Sequence, residues 1–228
     1  MGAGVLTRWR YAPLVVTDWA TIASMSTAGG TLVLAGATFA SVRSANKAAR
    51  VAERSLAIGL RPVLVPSRPE DPTEKIMFGD DAKLVVRGGT AGVEELDGNV
   101  YLGIPLRNVG AGLAVLQGWY VWPERAAAAI PHADPNEFRM LQRDLYIASG
   151  DTGYWQGALR GEDDELKSKL RASIAEPRRI SVDILYGDHE GGQHMVSRFG
   201  LTRRESSAWY CAIIRHWSVE GFGPRETR

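Results

Sequence analysis

Cysteine is almost missing from this 228-residue chain, with Cys211 standing alone. No intrachain disulfide can form, and the fold makes no use of an oxidising compartment. Cys211 lies in the apolar run AWYCAII, which predicts a buried small hydrophobe rather than a nucleophile. Catalytic signatures are missing too. No serine sits in a lipase-type elbow, no zinc-protease helix motif is present, and no phosphate-binding lysine loop occurs. Internal repeats are absent, and net charge is scarce at +1.

That small charge is unevenly spread. Residues 1–60 hold Arg8, Arg10, Arg43, Lys47, Arg50 and Arg54 against Asp18 and Glu53, a balance of +4, so residues 61–228 carry −3. A basic front on a mildly acidic body suits anionic lipid head groups. It does not suit nucleic acid, which calls for a basic surface on the folded body itself. The remaining composition, 23% charged and 45% hydrophobic, is that of a globular protein, and the length allows one ordinary domain plus a separate segment.

The separate segment is near the N-terminus. After a flank of residues 1–18, residues 19–42 run for 24 positions without a charge. As a helix this stretch spans about 36 Å, against a hydrocarbon core of about 30 Å. It is rich in hydroxyls and glycine, and its small residues Ser26, Gly30, Gly36 and Ala40 have the four-residue spacing that favours close helix packing in lipid. Trp9, Tyr11 and Trp19 stand where an aromatic belt belongs. A signal peptide fits poorly, since the apolar stretch is too long and a basic helical segment comes after it. The expectation is a single membrane span. Arg43, Lys47, Arg50 and Arg54 after the span outweigh Arg8 and Arg10 before it, which places the C-terminal body in the cytoplasm and assigns those four residues to lipid head groups.

Past Arg43 no proline or glycine interrupts the chain until Gly59 and Pro62, so residues 43–60 are expected to continue the helix as a juxtamembrane segment. Ala45, Ala49, Ala52 and Leu56 recur at spacings of four and three, a stripe for packing on another helix, the chain's own body or the membrane surface.

From residue 61 to 228 the period changes to two. β-rich runs appear in RPVLVP, AKLVVRG, NVYLGIPLRN, AVLQGWYVW, RDLYIASG, RISVDILYG, HMVSRFGL and AWYCAIIRHWSV, separated by turn residues. This pattern predicts a mainly β domain, an antiparallel β-sandwich of immunoglobulin-like type. One helix is expected in DDELKSKLRASIAEP, where Leu166, Leu170 and Ile174 share a face and Pro177 stands just past the end. Residues 123–137 read as a mobile insertion.

The order of parts is a single span, a charged Ala-rich helix, Arg61-Pro62 at the first strand, then Asn108-Val-Gly-Ala-Gly-Leu-Ala114 and a Tyr186-Gly-Asp188-x-x-Gly191 hairpin. This order resembles a loose group of small bacterial membrane-anchored proteins, common in actinobacteria, to which no function is assigned. The resemblance covers roughly the whole chain through short turn motifs. It implies an architecture and no activity, and it carries no functional residues across.

Several constellations remain. Asp188, His189, Glu190 and His194 are the most metal-like cluster, with oxygen and nitrogen donors on one loop. The same residues are good turn formers between two alternating strands, and the solvated turn is the preferred reading. Asp151-Thr-Gly spells the aspartic-protease triplet in a single copy, where catalysis needs two, so an ordinary turn is preferred there as well. Gly110-x-Gly112 leads into a β-rich run rather than a phosphate-holding helix. Trp119, Tyr120, Trp122, Trp155, Trp209 and Trp217 are assigned to core packing ahead of ligand stacking. The reading that results is a membrane-anchored interaction module that binds a protein partner at the cytoplasmic face, with no cofactor. Two alternatives are retained: a hydrolase, metal-dependent or aspartic-type, and an accessory subunit or homo-oligomer assembled through the helices.

Overall fold

The computed structural model describes residues 18–124, 126–161, 165–176, 179–203 and 208–219. Arg8, Trp9, Arg10 and Tyr11 of the N-terminal flank lie outside the described residues. The chain divides into two compact units, Met1–Arg54 and Ser55–Arg228.

The first unit is built from α1, Asp18–Gly59, 42 residues without a break, whose last residues from Ser55 on are counted with the second unit. At about 1.5 Å per residue it is about 63 Å long, roughly twice a bilayer's hydrocarbon core. The expected span and juxtamembrane segment are therefore one helix. Its section Thr21–Glu53 is long and apolar enough to cross a membrane. Several hydroxyls that weaken its apolar character are satisfied within the helix: Ser26 Oγ and Thr27 Oγ1 donate to the Ala23 carbonyl at 2.8 Å, Thr31 Oγ1 to Thr27, and Thr38 Oγ1 to Leu34. Each such bond lowers the cost of placing a hydroxyl in hydrocarbon. Leu32, Val33, Leu34 and Phe39 stay 68–74% exposed.

Unbroken helical winding separates the expected packing stripes. At about 100° per residue, Ser26, Gly30, Gly36 and Ala40 centre on a direction roughly 130° away from Ala45, Ala49, Ala52 and Leu56. One straight partner helix cannot use both. Arg43, Lys47 and Arg50 share a third face, roughly 160° from the alanines, and all three are exposed. The Arg54 side chain lies outside the described set.

The second unit holds eleven strands among the described residues. They are β1 (Leu64–Pro66), β2 (Glu74–Met77), β3 (Lys83–Val86), β4 (Thr90–Leu96), β5 (Asn99–Asn108), β6 (Ala114–Trp122), β7 (Arg139–Ile147), β8 (Thr152–Leu159), β9 (Arg179–Gly187), β10 (His194–Arg203) and β11 (Trp209–Val219). The mainly β class expected from alternation is present. Strands β2, β4 and β8 were not among the β-rich runs, since β2 has only four residues, β4 ends in Glu94-Glu95-Leu96, and β8 carries two glycines.

All pairing is antiparallel, and the strands build one curled sheet. Strand β5 pairs with β8 along one edge and with β4 and then β1 along the other. Two residue pairs join β4 to β11, and the order continues β11-β10-β9-β6-β7. Curling brings the halves face to face: Leu102, Ile104, Leu106 and Trp155 pack with Val182, Ile184, Tyr186, Phe199 and Leu201 in one core. The immunoglobulin-like order is not established by this topology, because the β4–β11 pairing runs both halves into a single sheet. A small β2–β3 hairpin adds a second cluster of Ile76, Phe78, Leu84, Val86 and Tyr101. Helix α2, Glu165–Ala175, buries Leu170 fully and packs Leu166 and Ile174 against the core. Its exposed Glu165–Lys169 pair closes at 2.6 Å.

The segment read as a mobile insertion is instead pinned to the sheet. Strand β9 is buried on both faces. On the outer face Arg198 of β10 and Asp183 of β9 are directly paired across the strands, and both are 0% exposed. Arg198 Nε and Nη2 donate to Asp183 at 2.6 and 2.8 Å, while Nη1 and Nη2 also donate to the carbonyls of Ala127, Ile130 and Pro131. The rings of Trp122 and Trp217 each lie 5.0 Å from the guanidinium. Asp183 further accepts from Trp122 Nε1 and the Ala133 amide. A buried forked ion pair thus holds the loop down.

Candidate functional site

The metal-like residues are not gathered. Asp188 Oδ1 accepts from the amides of Gly192 and Gln193, closing the hairpin with Gly191 at φ +73°. Glycine suits that left-handed position. His189 and Glu190 point into solvent, 4.0 Å apart, whereas His194 is buried and its imidazole is pushed below the ordinary range by desolvation. Among the described residues no three His, Cys, Asp or Glu side chains group closely enough to hold a metal ion. Asp151 is exposed and accepts from the Thr152 amide in its own turn. Glu74 has its carboxyl raised, by desolvation first and by the Asp151 charge second.

The three motifs behind the family resemblance meet at one junction. Asn108, fully buried, accepts through Oδ1 from the Val63 and Gly110 amides and donates through Nδ2 to the Gly112 and Ile147 carbonyls. A Cβ on Gly112 would stand 1.8 Å from the Leu60 carbonyl oxygen, and one on Gly110 would stand 2.2 Å from that of Arg61. The glycines therefore let the turn lie against the backbone leading into β1. Arg61 Nε donates to Gln193 Oε1 of the 188–193 hairpin, and the Leu64 amide donates to Tyr186 Oη. These are structural roles. Strand β6 comes directly after Gly110-x-Gly112, so that turn has no helix N-terminus to offer a phosphate.

Tyr186 opens a buried chain. Its Oη lies 2.8 Å from Ser197 Oγ, which lies 2.6 Å from His216 Nδ1. Every hydrogen is used only if Tyr186 donates to Ser197 and Ser197 donates to a neutral His216. Desolvation holds His216 below the ordinary range and Tyr186 above it, which agrees. A serine beside a histidine resembles a hydrolase pair, but Ser197 is 0% exposed and no substrate reaches it. Cys211 is half-buried against the core, where desolvation pushes its thiol up. Trp119, Trp155 and Trp209 are buried, Trp119 and Trp155 meeting edge to face at 5.5 Å.

A groove opens in the sheet among the described residues. Strands β7 and β8 are consecutive in sequence, yet among the described residues β7 pairs only with β6 and β8 only with β5. The seam between them is a groove of about 690 Å³. That volume is within the usual range for ligand sites, roughly 300–1,000 Å³. Its walls include Phe78, Trp119, Met140 and Leu145, with Gln156 and Arg143 contributing polar groups. Between the pairs Leu116↔Leu145 and Gly118↔Met140 strand β6 advances two residues while β7 advances five, so β7 bulges outward along the groove. Three arginines and no carboxylate line it. Arg160 is held by Asp80 at 2.7 Å, and that contact, with a Tyr101 hydrogen bond, keeps the Asp80 carboxyl well below the usual range. Arg139 lies over the Trp119 ring at 5.8 Å, and Arg143 is exposed on the groove wall. Nothing in the local sequence marked this site, because it exists where two strands fail to pair.

No protein-family model and no curated protein matches the chain. Solved structures with some likeness include a protein from Archaeoglobus fulgidus, 9% identical, covering 57% of this chain and 94% of its own, with a TM-score of 0.23. A Bordetella pertussis protein with the provisional name ApaA is 10% identical, covering 68% of this chain and 96% of its own, with a TM-score of 0.20. Overlaps this loose carry no argument.

Proposed function

We propose that this chain is a single-pass membrane protein whose β domain binds a protein partner at the cytoplasmic face. The observation that carries the reading is α1: a helix with Leu32, Val33, Leu34 and Phe39 turned outward and the Thr27, Thr31 and Thr38 hydroxyls satisfied internally is costly in water and well suited to lipid. Arg43, Lys47 and Arg50, exposed on one face after the apolar section, support a cytoplasmic location for the β domain. Anchoring raises the local concentration of the β domain near membrane components. The buried state of Ser197 and the scattered 188–194 residues lend no support to a hydrolase.

Carbonate-washed membranes containing the full chain test this reading. The protein is expected to stay in the pellet until detergent is added, and protease is expected to digest the β domain in inverted vesicles but not in intact cells. Release by carbonate alone refutes the anchor, and digestion in intact cells refutes the orientation.

A further inference from the structure

We infer that β1 is a latch released by acid: a proton taken from water onto His216 Nδ1 reverses the Ser197–Tyr186 hydrogen-bond chain and leaves a buried hydroxyl hydrogen without an acceptor. Water then enters to accept it, and β1 comes off the core. The latch does not depend on the membrane anchor.

The chain of bonds reaches from β11 to β1. The Leu64 amide donates to Tyr186 Oη at 3.3 Å, Tyr186 Oη lies 2.8 Å from Ser197 Oγ, and Ser197 Oγ lies 2.6 Å from His216 Nδ1. With the imidazole neutral, the amide hydrogen goes to Tyr186, the tyrosine hydrogen to Ser197 and the serine hydrogen to Nδ1. Protonation turns Nδ1 into a donor. Ser197 Oγ must then accept from it, and the serine hydrogen turns toward Tyr186. Among the described residues nothing is left to accept the Tyr186 hydrogen. Tyr186 and Ser197 are both 0% exposed, so no water reaches that hydrogen while the strand is in place. An unmet buried donor is destabilising.

Strand β1 is the element best able to yield. It has three residues, stands at the end of the sheet order and pairs with β5 alone. The Val63 amide on Asn108 Oδ1 and the Ser67 amide on the Pro105 carbonyl bracket it, which confines the opening to Leu64–Pro66. This is the first strand after α1 in the chain, so its release loosens the entry into the β domain.

The surroundings leave His216 as the group that titrates. It is half-buried and is paired with Ser197 on the inner face, where β10 also presents Met195 and Phe199. Strand β1 carries no charge. Arg198 and Arg215 are paired with each other on the outer face, and alternation puts His194 on that face too. Arg61 is the charged group that acts on Tyr186, whereas burial alone lowers His216. Once wetted, the imidazole returns to an ordinary value of about 6.5. Protonation therefore favours the open strand, by at most about tenfold between pH 7.5 and 5.5.

Hydrogen exchange of the full chain in neutral maltoside micelles tests the latch, read by mass spectrometry at both pH values and corrected for intrinsic rates. Protection of a peptide spanning residues 60–66 is expected to fall at least about fivefold at pH 5.5. It is also expected to stay at least about tenfold below that of a peptide spanning residues 180–187 in β9. His216→Asn is expected to hold the fall below about twofold, with His216→Gln as a second variant should circular dichroism show the first misfolded. Ser197→Ala is expected to cut the fall to about threefold or less while the imidazole still titrates, as followed by NMR of isotope-labelled histidine. Protection of 60–66 that is indifferent to pH overturns the inference, and so does an undiminished fall in the His216 variants or in Ser197→Ala. Equal protection of 60–66 and β9 overturns it as well, because the strand then opens only when the whole domain unfolds.

Discussion

Replacing Arg198 by methionine is expected to be among the most damaging single changes in the β domain. The guanidinium is fully buried, forks onto Asp183 and holds three loop carbonyls. Methionine fills much of the space between Trp122 and Trp217 but leaves the Asp183 carboxylate buried without its cation. Removing one partner of a buried pair costs about 3–5 kcal/mol, because the remaining charge keeps its desolvation penalty. Asp183 retains the Trp122 Nε1 and Ala133 amide donors, and the freed carbonyls lie in a loop that water can reach, so the middle of that range is expected. About 4 kcal/mol is a large share of a typical domain stability of 5–15 kcal/mol. It corresponds to a drop in Tm of roughly 8–16 °C at about 2–4 °C per kcal/mol. Urea unfolding of the full chain in micelles, monitored by tryptophan emission, measures it. Adding Asp183→Asn to Arg198→Met removes the orphaned charge and is expected to recover at least about 1.5 kcal/mol of the loss. A single-mutant cost below about 1 kcal/mol, or two changes that simply add, refutes the idea that the pair holds the loop.

Asn108→Ala removes four hydrogen bonds at the β1 junction and is expected to cost about 4 kcal/mol, taking the low end of about 1–3 kcal/mol for each group left unpaired because three of the four bonds are only part-buried; a urea midpoint equal to that of the parent chain contradicts the junction's role. His194 and His216 both bind protons less readily folded than unfolded. The unfolded state therefore takes up more protons below about pH 6.5, and stability is expected to fall as pH drops through that value and to level off below the native values. Urea midpoints at pH 7.5 and 5.5 check this, and His216→Asn is expected to flatten the dependence. Leu32→Arg places a charge near the middle of the apolar section at about 2.5–3.5 kcal/mol, and is expected to move a large fraction of the chain from the carbonate-washed pellet to the supernatant; unchanged partition argues against a span.

Local sequence decided the parts that depend on near neighbours. The absence of proline between Pro13 and Pro62 and the supply of helix formers made α1 one continuous helix, and its exposed apolar section was legible from residues 19–42. Alternation in Ile180, Val182, Ile184 and Tyr186 revealed a strand, and Pro177 with the Leu166, Leu170 and Ile174 face located α2. Which strands touch was another matter. Nothing near either residue in the sequence joins Arg198 to Asp183; pairing of β9 with β10 set them opposite each other and the 123–133 loop closed over them. No residue within that loop names its partner, and so its sequence reads as mobile. The β7–β8 groove was equally invisible, since it is formed by edges that remain unpaired after the rest of the sheet has curled. The physical reason is one of range: helix winding and strand alternation are governed within a few residues, whereas register, curl and the burial of a charge arise only when segments far apart in the chain compete for the same partners.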